Sequence, residues 1–419
     1  TLPNSQVMNL NKSIFTLAVV GAMTVTASAA DDVQTRMLET FTELARINSQ
    51  SSYDSVSTYG QHVMAFKIES DVKALFKGDS KLGTVTVSPS NYVYVALEPN
   101  VKKECPTLGI SCHLDVTPEV SGGNIVPVVD TRNGHTIVRT DGSTLLGADD
   151  KCGVTIALQL IDKLVKDKSV KHGKVMFAFC PNEDVGRAAD DIDTTLFNPD
   201  ILFDLDGPEG EIVTRSNFTA RGFNVKFKGR EAHPSTAKAD RLGDATAAAA
   251  TFIAFFPIEH RPETTDGLQG YIHPWDFVKE DADVTVQTRV RYFDKEEGIK
   301  FDRLLKDAVA KVEKDYPNVG VDILFDGLQY ENVAYSMHPA SQSLIESAAA
   351  KTGKHIRFAD ERGGTTASMS AAKGLKGGMC IFTGQHDIHS TREWADLQEM
   401  EEAYSLMLEV IRDVANLKY

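Results

Sequence analysis

Cysteine is scarce in this chain of 419 residues: five are present, an odd number, and none stands at a zinc-finger or redox-pair spacing. That excludes a scaffold stapled by disulfides and a structural zinc site built on thiolates. Cys112, Cys152 and Cys180 fall in apolar, strand-like or helix-opening contexts, where a buried free thiol is expected. A Cys105–Cys112 bridge would need an oxidising compartment. Positive charge is short as well. Lys and Arg number 44 against 59 Asp and Glu, and the net charge of −15 argues against nucleic acid and anionic membrane as partners. The one extended apolar run, Ile14 to Met23, is shorter than a comfortable membrane span. What remains is an ordinary globular composition, 42% apolar and 25% charged, long enough for about two or three domains.

The amino end reads as an address. Met8, the basic Lys12, the apolar run and then Ala27-Ser28-Ala29 have the order of a secretory signal peptide. Cleavage after Ala29 or Ala30 is expected to leave a soluble chain, secreted or periplasmic, with no membrane contact. Residues 1–7 fit no part of that pattern.

From Asp31 the periodicity is helical to about Gly78, broken by a Ser-rich loop from Asn48 to Thr58. Alternating residues 84–97 predict a hairpin around Pro89-Ser90-Asn91. Strand-like runs follow at Thr107–Cys112, Val175–Cys180 and Ile201–Leu205, the first two separated by a helix that opens after Gly147. Strand and helix in alternation predict an α/β sheet with its site at the carboxyl ends of the strands. The texture changes near Phe218, where a β-α-β-β-α-β pattern predicts an inserted, smaller α+β, ferredoxin-like domain. The expected boundaries are 1–30 for the address and upstream residues, 31–217 for the first part of the core domain, 218–332 for the insert and 333–419 for the rest. Within that last part, Gly363 to Gly384 reads as irregular, before a final helix from Leu397.

The chemistry-bearing residues collect at strand and helix boundaries. The first strand leads into His113-Leu114-Asp115, whose two polar side chains share a side at strand period. The second ends in Pro181-Asn182-Glu183-Asp184, the third in Asp206-Gly207, and a glycine-bounded turn carries Asp149-Asp150 into a helix. His386-Asp387-Ile388-His389 and Glu393 precede the last helix. Any one of these reads as a turn or a cap, since Asp suits a helix N-terminus. Together they gather more negative charge at one sheet edge than a site tolerates without a cation. Imidazoles among carboxylates suit zinc, cobalt or manganese better than calcium or magnesium.

On these motifs the sequence resembles the M20 metallopeptidase family, and most of all its peptidase T (aminotripeptidase) branch, from about Asp31 to the C-terminus. The resemblance is carried by Ser111 to Asp115, Thr140 to Lys151, Pro181 to Gly186, His233 to Lys238, Arg261 to Gly267, Arg362 to Thr365, and Phe382 to Gly384 with His389 and Glu393. It implies a catalytic domain interrupted by a lid or dimerisation domain, and two divalent metal ions, zinc first. His113 and Asp184 would each hold one side of the centre, with Asp206 and His389 completing the two shells and Asp149 bridging, ahead of an unusual cis peptide. Asp115 would orient His113, and Glu183 would be the general base toward a metal-bridging water. His233 would steady the oxyanion, while Arg291 and Arg362 would grip a peptide carboxylate, a task suited to the planar guanidinium fork. The implied reaction is removal of the N-terminal residue from small peptides, tripeptides above all, with a homodimer as the implied assembly. An amidohydrolase for N-acyl amino acids or dipeptides, and a non-catalytic peptide-binding relative, are the alternatives.

The chain departs from the branch in places. Asp184 and Thr366 stand where the branch has Glu and Asp, the stretch from Asp130 to Thr140 is shorter, and an export signal is unexpected in it.

Overall fold

The computed structural model describes residues 33–208 and 210–418. The signal-peptide expectation lies outside the described residues. Helices α1 (Val33–Ala45) and α2 (Tyr59–Phe76) come first, then strands β1 (Gly83–Val87), β2 (Val93–Leu97), β3 (Leu108–His113), β4 (Val128–Arg132) and β5 (His135–Arg139). Helix α3 (Ala148–Lys166) leads to β6 (Val175–Cys180), β7 (Ile201–Gly207) and β8 (Ile212–Asn217). The insert runs β9 (Thr219–Lys228), α4 (Ala245–Phe255), β10 (Tyr271–Glu280), β11 (Asp283–Tyr292), α5 (Lys295–Asp315) and β12 (Gly320–Tyr330). The chain returns through α6 (Ser341–Thr352), β13 (Arg357–Glu361), α7 (Thr366–Ala371), β14 (Gly378–Phe382), β15 (Gln385–His386), β16 (Trp394–Asp396) and α8 (Leu397–Val414).

The large sheet has eight strands in the order β1-β2-β6-β3-β7-β14-β8-β13. Its middle four, β6, β3, β7 and β14, are mutually parallel, so their carboxyl ends meet along one edge. These strands are buried on both faces, and their alternation decides which residue meets which layer. In β6, Val175, Phe177 and Phe179 join the core under α1, α2, α3, α6 and α8, while Met176, Ala178 and Cys180 join a second core on the other side. In β3 and β7 the first layer takes Leu108, Ile110, Cys112, Ile201, Phe203 and Leu205. Ser111, His113, Asp204 and Asp206 occupy the intervening positions and so face the opposite way.

The insert has its own core around Phe227, Phe252 and Phe301. Its sheet order, β10-β11-β9-β12 with antiparallel neighbours, is the ferredoxin-like arrangement. Two sequence expectations need correction. The Gly363–Gly384 stretch is not irregular: it forms α7 and the central strand β14, whose buried Met379-Cys380-Ile381-Phe382 is too short among glycines to stand out as a period. All five cysteines are free; Cys112 lies inside β3 and Cys105 before it, so no bridge joins them. No helix among the described residues is long and apolar enough to cross a membrane.

Candidate metal centre

The parallel edge brings together five of the residues singled out from the sequence. His113 Nε2 lies 2.8 Å from Asp149 Oδ1 and 3.7 Å from Asp206 Oδ1. His389 Nε2 lies 3.1 Å from the other oxygen, Asp149 Oδ2, and 2.8 Å from Asp184 Oδ1. Asp149 therefore faces two donor groups, one with each oxygen. The ligand atoms of His113, Asp149 and Asp206 fall within 4.8 Å of one another, as do those of Asp149, Asp184 and His389.

Strand, turn and helix ends hold these groups. Gly147 adopts φ 81°, a left-handed conformation that glycine takes without strain, just before α3. Asp149 and Asp150 are non-helical, joined by a cis peptide, and the regular helix starts behind them. Asp150 caps it: Oδ1 accepts the Gly153 amide at 2.9 Å and Oδ2 the His113 amide at 3.0 Å. Lys151, next along, is fully buried and donates to the Ile47 carbonyl at 2.7 Å, closing the end of α1. Burial drives its pKa down to about 7.

Two carboxylates work on backbone rather than on side chains. Asp115, wholly buried, accepts the amides of Glu183 at 3.0 Å and Asp184 at 3.2 Å. Its approach to His113 Nδ1 is longer, 3.4 Å, without hydrogen-bond geometry. Glu393 accepts the amides of Leu146, Gly147 and Asp149 at 3.1, 2.6 and 3.0 Å, pinning the turn that presents Asp149. Gln385 donates to Asp206 Oδ1 at 3.2 Å. Sequence reasoning gave Gln385 no role and Glu393 only a motif match. Their signal is proximity to His389, which does not say which backbone or carboxylate they reach.

The electrostatics are those of a site crowded with anions. Burial, then the charge of Asp149, raises Asp206 to about 7 and contributes with it to lifting Asp184 to about 6. Burial pushes Glu183 well above the carboxylate range. Asp149 goes the other way: hydrogen bonds from His113 and His389 outweigh its burial and hold it below that range. Those same bonds to Asp149 and Asp184 lift His389 to about 11. Asp184 Oδ2 is buried without any hydrogen-bond partner among the described residues. An imidazole–carboxylate donor set with an orphaned carboxylate oxygen fits divalent cations.

A cavity of about 310 Å³ opens over the cluster, lined by Asp149, Glu183, Asp206 and His389 on the cluster side and by Glu361 and Thr365 among others. A larger depression of about 500 Å³ lies at the amino ends of the same strands, near Thr107, Lys174 and Asp200, away from the cluster. The expected substrate residues are not brought to the cluster. His233 is exposed, its ring hydrogen-bonded to Ser235 at 2.7 Å. Arg362 donates to the carbonyls of Gly267 and Gln269 at 2.9 and 3.2 Å and to Thr265 Oγ1. Arg291 donates to the carbonyls of Val290 and Arg221, with its guanidinium 5.3 Å from the Tyr330 ring. Each of these polar heads is satisfied by nearby backbone or a neighbouring hydroxyl, which sequence spacing does not reveal.

A family model for peptidase family M20/M25/M40 matches residues 109–413. The chain belongs to that family. Among its relatives, this M20 peptidase is 30% identical to a peptidase T of Shouchella clausii over 412 residues, 91% of this chain and 98% of the relative. It is 29% identical to a peptidase T of Geobacillus thermodenitrificans over 409 residues, 90% and 97% of the two chains. The fold is shared with the crystal structure of aminopeptidase PepT from Bacillus cereus, at a TM-score of 0.72, 20% identity, and 91% and 99% coverage. A dinuclear metal binding M20 peptidase of Bacillus subtilis aligns at a TM-score of 0.63 with 14% identity, over 92% of this chain and 99% of that one.

Proposed function

We propose that this M20 peptidase is a two-metal aminopeptidase that removes the N-terminal residue of short peptides, tripeptides above all. The observation that carries the reading is Asp149, which offers one oxygen to each of two His–carboxylate groups, with the carboxylate of Glu183 lining the same cavity. His113 and Asp206 would hold one ion, Asp184 and His389 the other, and Asp149 both. Zinc is the ion this mixture of imidazole and carboxylate suits best. Bound there, two such ions would polarise the peptide carbonyl and lower the pKa of the attacking water.

The remaining work belongs to side chains. Glu183 takes the proton from the attacking water and returns it to the leaving amine, so one carboxylate in the cavity wall serves as base and then as acid. Asp115 holds the Glu183 and Asp184 amides, so base and ligand stay in register. Arg291 stands back from the cavity, its guanidinium 5.3 Å from the ring of Tyr330, which packs against Gly364 of the cavity wall. His233 and Arg362 receive no substrate role in this conformation.

A panel of di-, tri- and tetrapeptides against N-acyl amino acids tests the reaction, and preference for acylated substrates would replace it with the amidohydrolase reading. Glu183→Gln is expected to abolish turnover with the metal still bound; full activity in that variant would remove the base. Metal analysis is expected to find two ions per chain, and under one after zinc supplementation would end the two-metal reading. Export is part of the proposal, supported by Lys12, the run to Met23 and Ala27-Ser28-Ala29, and the mature N-terminus checks it. So is a homodimer. β12 is an edge strand that exposes Ile323, Leu324, Phe325 and Leu328, a surface that invites pairing. Light scattering on the purified protein reads the mass.

A further inference from the structure

The cavity over the cluster contains one acid that the metal chemistry leaves unused. Glu361 ends β13 and lines the cavity beside Gly363, Gly364 and Thr365. It is exposed, and among the described residues its carboxylate accepts the Arg362 amide at 3.1 Å and pairs with no cation. Its neighbour in sequence is an arginine, yet that guanidinium is drawn away by Gly267, Gln269 and Thr265 and lies 4.8 Å over the Phe218 ring. The other cavity acids have tasks. Asp149 and Asp206 belong to the ion groups, and Glu183 must stay free to move a proton.

A carboxylate without a counter-ion in a substrate cavity selects for a cation in the substrate. The cation that an N-terminal exopeptidase always meets is the α-ammonium group. We infer that Glu361 receives the free α-ammonium of the peptide and makes the site choose unblocked over N-acylated substrates. The assignment rests on the aminopeptidase reading. It adds a penalty as well as an attraction. An acylated amine is neutral and brings an acyl group where the carboxylate expects a cation, which discriminates against blocked peptides.

The test uses the full-length, zinc-loaded protein with trialanine and N-acetyl-trialanine. The unsubstituted protein is expected to favour trialanine. Glu361→Gln is expected to raise KM for trialanine about 10- to 100-fold, the scale of one hydrogen bond to a charged group, with kcat nearly unchanged. Its preference for the free amine should collapse, and Glu361→Asp should recover part of it. Bound zinc should equal that of the unsubstituted protein. If the unsubstituted protein discriminates and Glu361→Gln keeps both KM and preference, the role of Glu361 is overturned and the aminopeptidase reading stands. If the unsubstituted protein prefers the acetylated peptide or cleaves neither, both fall together. Loss of zinc in Glu361→Gln would place the residue in the metal centre and overturn the assignment.

Discussion

Asp115 spends its carboxylate on two backbone amides, those of Glu183 and Asp184. That single buried side chain therefore sets the position of both the proposed base and one metal ligand. Asp115→Ala leaves the two amides unpaired beside a cavity, a loss on the order of 3–6 kcal/mol when each bond to a charged acceptor is worth about 1.5–3. Urea unfolding should show that loss, and zinc titration should show weakened binding. A variant that unfolds like the parent would mean water replaces the carboxylate at no cost. The His-x-Asp spacing makes Asp115 visible in the sequence, but its partners are not. Strand period puts it on the side of His113, whereas β3 has already ended and the side chain turns to the loop after β6.

At the scale of elements, the entrance to α3 depends on how closely helix and strand approach. A Cβ on Gly153 would sit 2.1 Å from the Leu205 carbonyl and 2.4 Å from the Asp150 carboxylate. Gly153→Ala must push α3 off β7 or displace the cap that fixes Asp150. The expected cost is about 1–3 kcal/mol or more, by the general cost of overpacking a filled site. Calorimetry measures it, and a parallel metal assay should show Asp149 misplaced. The neighbouring β14 teaches the converse lesson. Its five residues are buried, yet glycines on either side hide the run, so a strand at the heart of the sheet escapes a reading by period.

For the whole molecule, folding concentrates charge that water would otherwise separate. Asp149, Asp184, Asp206 and Glu183 are held around two imidazoles at one sheet edge. Like charges there oppose folding until cations offset them. Zinc should therefore raise the melting temperature with the logarithm of its concentration above Kd, and a chelator should lower it. At a hundredfold excess over Kd, each site contributes about 2.7 kcal/mol by mass action. A melting temperature indifferent to both would show that the cluster does not take up ions.

The sequence by itself determined the α/β class, the ferredoxin-like insert and the identity of the residues at the strand ends. It could do so because strand alternation and helix period are local properties, written in consecutive residues. The tertiary structure alone decided which carboxylates face metal and which hold backbone. It also decided that Arg362 turns to the 265–269 loop while Glu361 is left facing the cavity. Those outcomes depend on which distant donors lie within about 3 Å once the sheet has assembled, a distance that no spacing along the chain encodes.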